Sequence, residues 1–169
     1  DIAQLYPLYR KGQRLSNEQA EDVLGLCREG ALFVSRSDHP IYVEHIAKQA
    51  DLVLVDDNLK ESESADILLR ALIMRLTAFF EQPVAAVFEP LYKDVMVFTE
   101  YLWQDLFRSR LFMRRLHTGD SDHVRHALNT MCVGTWILVQ ISSPEGMKRR
   151  QFDRTALGLL LHDAGMTKI

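Results

Sequence analysis

Apolar residues recur every three to four positions through most of the chain, and the departures from that period lie near its start. In SADILLRALIMRLTAFFEQ, Leu69, Ile73, Leu76 and Phe80 fall on one face, and Leu68, Leu72 and Phe79 widen it beyond a surface stripe. That pattern predicts a core helix. After Pro83, the residues Val95, Phe98, Leu102 and Leu106 keep helical spacing, with Pro90 near the first turn, where a proline is tolerated. The reading is one long helix of about 25 residues, on the order of 38 Å. Tyr101, Trp103 and Phe112 make its other face more apolar than solvent requires, which core contact explains and a dimer seam would also explain. HTGDSDH then breaks the pattern. DHVRHALNTMCVGTWILVQ predicts a helix with Ala127, Leu128, Met131 and Leu138 inward, SSPEGMKRR a polar connection, and QFDRTALGLLLHDAG a last helix ending in His162 and Asp163.

The first third reads as mixed α and β. AQLYPLYRKG is a short extended segment, and Ser16 with Gln19 has the spacing of a capping box that starts a helix. Val23, Leu24 and Cys27 share the inner face of that helix, and Gly30 is placed to end it. ALFVSR has the length and composition of a buried strand, and SDHP a turn. IYVEHIAKQADLVLVDD fits either period in places, but Ala, Glu, Lys and Gln in its middle favour a helix. The expected fold is therefore α+β and predominantly helical. Residues 1–58 form a small mixed lobe, 59–121 a helical connector, and 122–169 a final helical segment.

Composition narrows the functional classes. With 169 residues, 47% of them hydrophobic, the chain can bury a sizeable core. A net charge of −3, with Lys and Arg spread along the sequence, leaves no basic field for a nucleic-acid polymer. Cys27 and Cys132, both in apolar periodic segments, fit reduced thiols of a cytoplasmic protein. No run reaches the roughly 20 apolar residues that span a bilayer.

The suggestive chemistry gathers in the last fifty residues. Asp122 and His126 stand four apart, on neighbouring turns of one helix face, and can share a cation. His162 and Asp163 follow on the next helix. Imidazole and carboxylate together suit Fe, Mn or Zn, and such an ion polarises phosphate and acidifies bound water. Spacing alone leaves the structural alternative open, since a His at a helix end also satisfies the helix dipole. The cluster Arg108, Arg110, Arg114 and Arg115 reads as a solvated helix end, with an anion site as the alternative.

From Asp122 onward the chain resembles the opening of an HD-GYP domain, a branch of the metal-dependent HD phosphohydrolases. His126-Ala127-Leu128-Asn129 is similar to the family's His-Ser-Leu-Asn, and His162-Asp163-Ala164-Gly165 to its His-Asp-x-Gly. The resemblance implies that His126, His162 and Asp163 are metal ligands, with Asp122 at the position of a further carboxylate ligand in trinuclear members and Asp163 central to catalysis. It implies Fe or Mn as the metal and a cyclic dinucleotide as substrate. The intact parent is then a bacterial cyclic di-GMP phosphodiesterase. Met166 stands where the family has a phosphate-contacting lysine, and Lys168 is its nearest substitute. The family's later histidines, final metal Asp and Gly-Tyr-Pro motif belong downstream of Ile169, which marks the chain as the front portion of a longer protein. On that basis the fragment should hold no metal stably and be inactive, with His162 and Asp163 displaced from His126. It should also expose Trp103, Phe112 or Trp136 and bury them by forming a homodimer. The alternative is a regulatory or protein-interaction module related to HD folds, working through its N-terminal lobe.

Overall fold

The computed structural model describes residues 9, 12, 14–56, 59–116, 122–142 and 146–165, and only the backbone of His39 and Val43. Contacts divide the chain into two units, Asp1–Arg36 and Ser37–Ile169.

In the first unit, α1 spans Asn17–Arg28. Its capping box forms as the sequence predicts: the Gln19 N–H donates to Ser16 Oγ at 3.2 Å and the Ser16 N–H donates to Gln19 Oε1 at 3.0 Å. Gly30, at φ +66°, ends the helix in the left-handed conformation that glycine adopts without steric cost. The Ala31 N–H donates to Leu26 O at 2.9 Å and the Gly30 N–H to Cys27 O at 3.1 Å, which is the Schellman closure. Two expectations are corrected here. ALFVSR is not a strand: no strand occurs among the described residues, and Leu32, Phe33 and Val34 are 44%, 69% and 46% exposed. A strand exists only beside a partner that pairs its N–H and C=O groups, and the described residues provide none. The fold is helical, and the mixed α/β lobe is not observed. Nor does α1 bury an inner face; Cys27 is exposed and Leu24 is 56% exposed. The extended segment AQLYPLYRKG falls almost entirely outside the described residues.

In the second unit, α2 (His39–Ile46) runs into a 3₁₀ segment, Ala47–Leu54, bent at Gln49. The helical reading of IYVEHIAKQADLVLVDD therefore holds. Ala47, Ala50 and Val53 are the buried residues of the 3₁₀ segment, three apart, as a helix of three residues per turn requires of a single inward face.

Helix α3 (Glu61–Glu81) begins where the Lys60 N–H donates to Glu63 Oε2 at 3.1 Å. Leu68, Leu72 and Leu76 are fully buried, whereas Leu69, Ile73, Phe79 and Phe80 pack at the margin, so the buried face keeps Leu76 of the predicted one and is centred on Leu68 and Leu72. Helix α4 spans Ala85–Gln104, and the predicted long helix stops there. At Asp105 the backbone turns extended and the carboxylate accepts from the Phe107 N–H at 2.9 Å, capping a 3₁₀ turn, Leu106–Arg108, that leads into α5, Ser109–Met113. Arg108 donates to Tyr101 O at 3.1 Å and its guanidinium lies 4.3 Å from the Tyr101 ring centre, covering the end of α4. Arg115 joins α5 to α3 through Asp66 at 2.6 Å and Ser62 O at 2.9 Å. Two of the four clustered arginines are thus structural ties.

Helices α6 (His123–Ile141) and α7 (Arg149–Leu161) complete the unit and share its core. The break at Asp105 turns Phe112 back onto α4, where it meets Phe98 edge-on at 4.9 Å and 75°. Phe112 is 1% exposed and Trp103, half-buried, packs on Phe152 at 5.8 Å. Core contact therefore accounts for Phe112 and Tyr101, and the expectation that Phe112 is exposed is corrected. Arg149 fastens α7 to α4 by pairing with Glu100, and Asp153 one turn along α7 holds the same guanidinium in place.

One ion pair lies close to the core. Arg75 Nε donates to Asp94 Oδ2 at 3.1 Å, while burial pushes the Asp94 carboxyl above its ordinary value of 3.8 against the lowering by Arg75. The folded state holds this proton more tightly than the unfolded chain, so the group adds stability as pH falls through its folded pKa and the gain is complete below 3.8. Removing the guanidinium leaves the carboxylate uncompensated. Arg75→Ala is expected to cost about 1–3 kcal/mol at neutral pH, and less as Asp94 protonates. Chemical denaturation of both proteins from pH 7 down to pH 4 checks this, and a cost that grows on acidification would refute the sign.

Candidate metal centre

Two helix ends build the site. Asp122 caps α6, its carboxylate accepting from the Arg125 N–H at 2.8 Å, and this fixes where the first turn begins. His126, one turn in, projects from α6 while Ala127 and Leu128 beside it are buried, so the inward pair sets the direction of the imidazole. Helix α7 lies against α6 so closely that a Cβ on Gly134 would stand 2.4 Å from Leu159 Cδ1. A Cβ at Gly134 therefore fits only if the Leu159 side chain shifts. Gly134→Val is expected to cost about 1–3 kcal/mol by overpacking, outweighing the few tenths gained in helix propensity. Urea unfolding checks the sign, because an unchanged midpoint would mean Leu159 simply rotates away.

Helix α7 ends at Leu161, and His162 to Gly165 continue as a turn closed by the Ala164 N–H donating to Leu161 O at 3.0 Å. His162 Nδ1 lies 2.8 Å from Leu159 O. A carbonyl only accepts, so Nδ1 carries a hydrogen and Nε2 is the nitrogen that faces the site. The structural and the metal-binding readings of this histidine are therefore compatible: one nitrogen satisfies the helix end, the other faces the site.

His126 Nε2 is 3.3 Å and His162 Nε2 3.0 Å from the same oxygen, Oδ2 of Asp163, and the two rings are 5.3 Å apart. All three ligand atoms lie within 4.8 Å of one another. Two ligands bound to one ion at about 2.1 Å and separated by 90–110° stand roughly 3.0–3.4 Å apart, which matches both contacts. Two imidazole nitrogens on one carboxylate oxygen also call for positive charge between them, either protons or a cation. The three side chains are 52%, 35% and 41% exposed, so an ion here would keep faces open to water and substrate.

The structure thus brings together three of the four residues read as ligands. The displacement expected of His162 and Asp163 from His126 is not observed, because α6 and α7 pack on each other and carry the two halves of the site. Asp122 is used otherwise, as the α6 cap and 3.9 Å from Arg125 Nε, and it does not join the cluster. Met166 and Lys168 lie outside the described residues. Sequence reasoning missed the carbonyl of Leu159; its only signal was position, three residues before a histidine at a helix end. Burial pushes the Cys132 thiol up to about 12, which makes it a packing group with no nucleophilic character. Comparison with protein families, with curated proteins and with solved structures finds no match for this chain. The site itself is what bears on function: two histidines and an aspartate on adjacent ends of a helical pair.

Proposed function

We propose that His126, His162 and Asp163 bind one divalent metal ion, Fe or Mn, and that the chain carries the front part of an HD-GYP-type phosphohydrolase centre. The single observation supporting this reading is that three side chains place ligand atoms within 4.8 Å of one another, with His126 and His162 both against Oδ2 of Asp163. A bound ion would supply Lewis acidity toward a phosphate oxygen and a lowered pKa for a bound water. Asp163 orients both imidazoles, His126 and His162 donate neutral nitrogen, and Lys168 is the proposed contact for substrate phosphate. The intact parent would hydrolyse cyclic di-GMP, whereas these residues alone complete neither the ligand set nor the substrate pocket of such a centre.

The test is anaerobic loading of the chain with Mn(II) or Fe(II), followed by metal analysis, with cyclic di-GMP turnover measured in parallel on the parent protein. The expectation of no stable metal rests on His162 and Asp163 lying away from His126; with the three side chains together, one ion per chain that is lost in His126→Ala, alongside turnover in the parent only, is the expected result. No ion above the level of the variant would overturn the metal assignment, and an inactive, metal-loaded parent would overturn the substrate. That last outcome would favour a regulatory or interaction module, a reading supported by the exposure of Leu24, Phe33 and Val34 in the first unit and by Met166 in place of the family's lysine. Among the described residues no helix is long and apolar enough to cross a membrane.

A further inference from the structure

A cleft of about 580 Å³ opens between the 3₁₀ segment, α3 and α4, on residues that take no part in the metal cluster. Its volume falls within the range of small-molecule sites, which combine apolar walls with a few placed polar groups. Pro90, Tyr92, Met96 and Val97 provide the apolar wall. Lys48, Asp51, Arg75 and Asp94 bring charge to the same cleft, and Lys93 at its edge is paired with Glu89 at 3.1 Å.

Arg75 is the informative residue. Its Nε donates to Asp94 Oδ2, and Asp94 is 8% exposed, so a buried carboxylate fixes the guanidinium in place. The Nη groups of Arg75 have no acceptor among the described residues, and Lys48 has no ion-pair partner among them. A guanidinium held by one edge and left with its donor fork unused is the arrangement that receives a planar or tetrahedral oxyanion. Asp51 and Asp94 offset Lys48 and Arg75 in charge, so a head group is recognised here by directed donors and not by a net positive field.

We propose that this cleft binds a small organic oxyanion, its carboxylate or phosphate head on Arg75 and Lys48 and its apolar or ring portion against Tyr92, Met96 and Val97. The experiment is isothermal titration of the chain with two probes, 4-hydroxybenzoate for a carboxylate head and AMP for a phosphate head, repeated on Arg75→Gln and Lys48→Ala. The expected result is binding of at least one probe with Kd of about 1 mM or tighter, weakened about tenfold or more in each variant, as loss of a charge-assisted hydrogen bond predicts. The probe that binds identifies the head group. Lys48 is exposed, so Lys48→Ala retains the fold even if Arg75→Gln loosens it. Failure of both probes to bind at about 10 mM, or binding that Lys48→Ala leaves unchanged, overturns the proposal. Because the readout needs no metal, the result is independent of the assignment made for His126, His162 and Asp163.

Discussion

His162→Ala should weaken Mn(II) binding by at least about a hundredfold while leaving the unfolding midpoint of the metal-free chain almost unchanged. The first half follows from the ligand count: one of three protein ligands is lost, and even outer-shell partners of metal ligands are worth about 10–100-fold in affinity. The second half follows from exposure. The His162 side chain is 35% exposed, and apart from its contact with Asp163 inside the site it makes one hydrogen bond, to Leu159 O, at a helix end that water can also satisfy. A loss of about 1 kcal/mol is the most that contact should contribute. His162→Gln tests the tautomer argument separately, since an amide can still donate to the carbonyl but offers no imidazole nitrogen. It should restore the midpoint and not the affinity. Metal binding retained in both variants would remove the basis of the site.

Phe98→Ala should cost about 3–5 kcal/mol, the largest effect of any single substitution in the second unit. Phe98 is fully buried in α4 and meets Phe112 edge-on, so its removal leaves a cavity in the core and takes away the ring on which Phe112 packs. Against a typical total of about 5–15 kcal/mol, this should leave the chain marginally folded. Phe107 is the internal control. It is 72% exposed with Arg110 over its ring at 5.3 Å, and Phe107→Ala should cost less than about 1 kcal/mol. Equal losses at the two positions in urea titrations would mean that Phe98 and Phe112 do not pack in the core as described.

Much of the helical architecture was legible because local chemistry and long-range packing agree there. Ser16 and Gln19 form their capping box, Gly30 closes α1, Val95, Phe98 and Leu102 point into the core, and Ala127, Leu128 and Met131 do the same from α6. In each case the period of the apolar residues, or a cap three residues away, is enough to set the local geometry. His126, His162 and Asp163 were legible as residue types for a metal, and their pairing through a resemblance, but nothing local required them to meet.

Where the sequence misled, the deciding contact was remote. ALFVSR has strand composition, yet β structure needs a partner, and a segment of six residues contains no information about whether one exists elsewhere. The apolar period through Leu106 and Phe112 continues across Asp105, and only the cap made by that carboxylate, with Arg108 folded back onto Tyr101 and Glu61, shows that the helix turns. Asp122 shares a helix face with His126 by spacing, but the nearer demand of an uncapped N–H takes its carboxylate. What the sequence by itself determined was which segments are helices and which side chains have ligand chemistry, because both depend on residues within a turn or two. What only the tertiary structure decided was that α6 and α7 pack on each other so as to bring Asp163 within 3.3 Å of His126, because packing across thirty-seven residues of sequence sets that distance and no local preference does.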